Sequence, residues 1–122
     1  MSRQEINIVT KIVRELTLYF MLQGVTNIKM ETFYESKGTM FVVNVKTLDA
    51  RVLDEIHRKI SRERELEIET YGWELIGDID SKSGLEILGH LIDEIHIKQG
   101  EATTTLTFVR KNRYKQKKGP RI

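Results

Sequence analysis

The chain has 122 residues, no cysteine and a formal charge of +2. That length suits one domain with a core of its own, and the missing thiols exclude disulfides, thiolate metal sites and a cysteine nucleophile. No apolar run approaches the roughly 18 residues that span a bilayer, and the opening MSRQEINIV has neither the basic start nor the apolar run of a signal peptide, so a cytoplasmic protein with no membrane contact is expected.

Residues 4–23 carry helical periodicity. Ile6, Val9, Val13, Leu16 and Phe20 recur at steps of three and four, Ile12 and Tyr19 widen the stripe, and Lys11, Arg14 and Gln23 lie off it. Gly24 follows as a C-cap. Two strand-like runs come next. In 27–34, Ile28, Met30 and Thr32 alternate with Lys29, Glu31 and Phe33, and 39–46 (TMFVVNVK) is rich in β-branched and aromatic residues. The segment Glu35-Ser36-Lys37-Gly38 between them turns a β-hairpin.

Asp49 caps a second helix with Val52, Leu53, Ile56 and Ile60 on its apolar side. The window 63–76 reads two ways, since LEIET alternates like a strand while the acidic run also suits a helix. Residues 77–84 form a loop. A third helix runs from Leu85 to Asp93. Ile95 and Ile97 begin another strand, Gln99-Gly100-Glu101 turns, and Thr103–Val109 returns. The expected fold class is α+β: a two-layer sandwich with a four-stranded mixed or antiparallel sheet and helices on one face.

The chain divides into a domain over 1–111 and a basic tail over 112–122 that lacks apolar periodicity and is expected to be disordered. Residues 110–122 hold seven Lys/Arg and no acid, which leaves the body at −5. Arg110, Lys111, Arg113, Lys115, Lys117 and Lys118 are therefore the candidate phosphate contacts if a nucleic acid is the partner. Tyr114 is the tail's sole aromatic, too little for base stacking along a strand.

The segment SGLEILGHLIDEIHIKQGEATTTLTFVRK (83–111) resembles the C-terminal end of the GHKL ATPase fold, and is most similar to the bacterial anti-sigma-factor kinases and to histidine kinase ATPase domains. Ser83-Gly84-Leu85 matches the entry of the Gly-rich loop, Leu91-Ile92-Asp93-Glu94-Ile95 the helix end, and Thr103-Thr104 the Thr pair. IVRELTLYFMLQGVTNIKM is similar to the family's first helix, with Glu15 on its Glu and Gly24 on its Gly. The resemblance implies an ATP site whose positions here are Glu15, Tyr19, Asp49, Gly84 and Thr104.

The chain departs from that pattern at three points. Tyr19 stands where the family's Asn holds Mg²⁺, and a phenol does not replace an amide oxygen in a strict octahedral shell. Lys46–Arg51 has no glycine where the adenine-binding Asp-x-Gly-x-Gly belongs. Glu86 replaces a phosphate-loop glycine and would repel the anion. The resemblance thus implies the fold without its ATPase chemistry: a regulatory or protein-interaction module, with no cofactor and no catalytic residues. The alternatives are a nucleic-acid-associated protein that uses its tail and a nucleotide binder with a rearranged site.

Other chemistry has little footing. His57, His90 and His96 are scattered, with no i, i+4 pair for zinc. The acidic pairs Asp54/Glu55, Asp78/Asp80 and Asp93/Glu94 read as solvated faces. Ser36, Ser61, Ser81 and Ser83 lack a nucleophile elbow. Trp73, the single tryptophan, reads as a buried anchor for the segment that matches the family's ATP lid, or as an exposed anchor of an interface.

Overall fold

Ser2 stands where a helix needs a cap. In the computed structural model, which describes residues 2–60 and 84–112, its Oγ accepts the Glu5 N–H at 3.0 Å and opens helix α1, Arg3–Leu22. The helix ends in a Schellman motif. Gly24 sits at φ +88, its N–H bonds Met21 O, and the Val25 N–H reaches back to Phe20 O.

The face that α1 buries is Ile8, Val9, Ile12, Glu15, Leu16 and Phe20. This corrects the expected stripe. Ile6 is 47% exposed and Val13 is half-buried, while Ile12 is wholly buried. The contact face is turned toward Ile12 because it includes Glu15, a residue that periodicity counts as polar.

Strand β1, Lys29–Glu35, and strand β2, Gly38–Lys46, form the expected hairpin, with Glu35 opposite Gly38. Gly38 adopts φ +154, and a Cβ there would stand 2.2 Å from the Arg110 carbonyl oxygen, so no other residue fits the turn. Helix α2 (Ala50–Ile60) is capped by Asp49, whose Oδ1 accepts the Arg51 N–H at 2.9 Å. Helix α3 spans Gly84–Leu91 and stops two residues short of the expected end. The Asp93 N–H bonds Val109 O at 2.7 Å, which commits the chain to the sheet at that point.

Among the described residues, strands β3 (Glu94–Gln99) and β4 (Thr103–Lys111) join the hairpin in a fully antiparallel four-stranded sheet of order β1-β2-β4-β3. Phe41 and Phe108 are partners on the central pair β2–β4 and are wholly buried. Each contributes roughly 1.5–3 kcal/mol through burial. Inward residues Phe41, Val43, Val45, Leu106 and Phe108 join the apolar sides of the helices in one core. The outward-facing residues of the same strands stay partly exposed, as a two-layer sandwich with one open sheet face requires. The windows 63–76 and 77–83, with Trp73, lie outside the described residues, as do 113–122.

Candidate functional site

The positions singled out by the resemblance are held by α1, the β2–α2 connection, the start of α3 and strand β4. Glu15 is 5% exposed on α1 and pairs with the neighbouring Arg14 guanidinium. Its carboxylate lies against Gly84, the first residue of α3: a Cβ built there would stand 2.6 Å from Glu15 Oε1. The N-terminal end of a helix is a place of positive potential with free N–H groups, suited to an anion. In this chain a carboxylate of the protein stands at that end. Glu86, in the same first turn, adds a second negative charge and lies 3.7 Å from Lys59 Nζ of α2.

One turn after Glu15, the Tyr19 hydroxyl donates to Glu55 Oε1 at 2.9 Å and ties α1 to α2. Burial, and then the Glu55 carboxylate, push the Tyr19 phenol above its ordinary pKa, so it stays a donor. Its ring packs edge-on to Phe20. Glu55 is 36 positions away in sequence, and no local spacing signals the pair.

Thr104 and Gln99 meet at the Leu48 backbone, next to Asp49. The wholly buried Thr104 Oγ1 accepts the Leu48 N–H at 3.1 Å, and Gln99 Nε2 donates to Leu48 O. Asp49 then caps α2. Thr104 and Asp49 therefore fix the β2–α2 connection. Beside it lies a cleft of about 280 Å³, bordered by Thr26, Asn27, Lys46, Thr47, Asp49 and Val52, and a second of about 450 Å³ between Gln23 and Arg51, Asp54, Glu55 and Arg58.

Of the basic candidates, Arg110 is a correction. It is 1% exposed, and its guanidinium bonds both oxygens of Glu5, at 2.7 and 3.0 Å, and the Leu91 carbonyl at 2.9 Å. It points into the core side of β4, where no phosphate reaches it. Alternation along β4 carried that signal, since Thr104, Leu106, Phe108 and Arg110 share one face. Lys111 is exposed but bonds Glu94 at 2.7 Å. That contact first, and His96 second, hold the Glu94 carboxyl below its usual range. Arg113, Lys115, Lys117 and Lys118 lie outside the described residues. The three histidines do not join acids in a metal-binding group among the described residues.

The Gly84 contact makes a prediction. Gly84→Ala should cost about 1–2 kcal/mol, the range for overpacking a filled site, because the added methyl collides with a buried carboxylate. Glu15→Ala in the same chain should remove most of that increment. Urea melts of the two single variants and the double variant measure it, and additive losses would show that Glu15 and Gly84 do not press on each other.

Comparison with protein-family models, with curated proteins and with solved structures gives no match for this chain.

Proposed function

We propose that this chain is a non-catalytic regulatory module that acts by binding another protein in the cytoplasm, on a GHKL-like fold that has lost its nucleotide site, in the manner of anti-sigma-factor or partner-switch proteins. The observation that supports it most is the Glu15 carboxylate packed on Gly84. It stands where phosphate would be drawn, and electrostatics there oppose a second anion. Tyr19 is engaged by Glu55 instead of facing a metal, and one Asp49 oxygen is used in capping α2. These groups do not fit Mg-ATP. Met21 and Leu22 at the end of α1 and Phe33 and Tyr34 on the two faces of β1 are large apolar side chains left exposed, each available to a protein contact.

Titration calorimetry with ATP and Mg²⁺ tests the reading. The expected dissociation constant is millimolar or weaker. Each lost contact to charge costs about 1.5–3 kcal/mol, and two or three together move a micromolar ligand by several orders of magnitude. Micromolar binding would instead make the chain a nucleotide binder with a rearranged site, using the clefts beside Asp49 and Glu55.

A further inference from the structure

We propose that the outer edge of β1, the one away from β2, is the contact surface for a second copy of this chain, the two β1 strands pairing antiparallel about a two-fold axis at Thr32. Among the described residues β1 is bonded on one side only, to β2. Its register with β2 runs unbroken from Lys29 to Glu35, with no proline and no bulge to blunt the outer edge. Unpaired strand edges of this kind are templates for another strand. Phe33 and Tyr34 are 41% and 59% exposed on its two faces.

The side chains of β1 complement themselves in one register. Directly opposite residues of an antiparallel pair share a face. About Thr32, Lys29 of each copy faces Glu35 of the other, Met30 faces Tyr34, Glu31 faces Phe33, and Thr32 faces its own equivalent. Opposite charges, an apolar–aromatic pair and a Thr–Thr pair are the contacts that stabilise neighbouring strands. An axis at Glu31 would set Glu31 against itself, and an axis at Phe33 would set Glu31 against Glu35. Lys29, Glu31 and Glu35 make no ion pair with the other described residues, so their charges are available. The other edge, β3, differs: its Glu94 is already engaged by Lys111 and His96. The Thr32 register also keeps the helices of both copies on one side, giving a continuous two-layer sheet.

This goes beyond the proposed function and does not depend on it. The test uses the full chain in sedimentation velocity from low to high micromolar concentration, with circular dichroism to verify the fold. A concentration-dependent dimer is expected. Lys29→Glu and Glu35→Lys should each weaken it about tenfold or more, because two-fold symmetry applies every change twice. The combined swap Lys29→Glu with Glu35→Lys should restore it. A second measurement is independent of charge. The chain has no cysteine, and across the axis the two Thr32 Cα atoms would lie about 4.5–5.5 Å apart, within disulfide reach. Thr32→Cys should therefore form a covalent dimer under mild oxidation, while Thr10→Cys, on the exposed side of α1, should not. A monomer at every concentration, a dimer indifferent to the single charge reversals, failure of the swap to restore it, or no preferential cross-linking of the Thr32→Cys variant would each overturn the proposal.

Discussion

Ile12→Asp should abolish cooperative folding at room temperature, whereas Ile6→Asp should lower stability by less than about 1 kcal/mol. Both are isoleucines on α1, six residues apart, and apolar periodicity alone does not rank Ile12 above Ile6. The structure separates them: Ile12 has no exposed surface and Ile6 is 47% exposed. Truncating a buried isoleucine costs about 2–5 kcal/mol. Placing a carboxylate there, without a partner, adds several kcal/mol more. Together these are as large as the stability of many small domains, roughly 5–15 kcal/mol. Val13→Asp should fall between the two, at about 1–3 kcal/mol, because a half-buried site leaves the carboxylate a path to water. Thermal melts followed by circular dichroism give the order directly. Equal melting temperatures for the Ile6 and Ile12 variants would mean that α1 buries another face.

That ranking marks where the sequence stopped being legible. The helices and strands follow from periods of 3.6 and 2, and from Asp49, Gly24 and Gly38, whose caps and turn depend on local chemistry. The face of α1 does not follow, because its centre includes Glu15. The Arg14 guanidinium supplies the Glu15 counter-charge, and Gly84, far along the chain, leaves the room that the carboxylate takes. The same limit hides the Tyr19–Glu55 pair. Arg110 failed for a different reason. A composition window joined it to the basic run that follows, although its place in the alternation of β4 assigns it to the inner face. Pattern within an element outranks composition across a boundary.

Arg110→Ala should cost about 3–5 kcal/mol, the range for removing one partner of a buried ion pair. The guanidinium joins three distant parts of the chain: Glu5 in the first turn of α1, the Leu91 carbonyl at the end of α3, and β4 itself. Leu91 is the last residue of α3, so its carbonyl has no partner within the helix, and a cation at that end also suits the helix dipole. Alanine leaves the carbonyl without this donor, leaves Glu5, whose side chain is 22% exposed, without its counter-charge, and opens a cavity the length of the side chain. Lysine should recover less than half of the loss. One ammonium cannot reproduce a planar fork that meets two carboxylate oxygens and a carbonyl together. Glu5→Ala alone should cost about as much, about 3–5 kcal/mol, because it leaves the guanidinium, 1% exposed, buried without the Glu5 counter-charge. The double variant should fall short of the sum by about 1–2 kcal/mol. Urea unfolding of the parent, the two single alanine variants and the double variant closes the cycle. An Arg110→Ala variant within about 0.5 kcal/mol of the parent, the range of an ordinary surface change, would show that this buried charge holds nothing together.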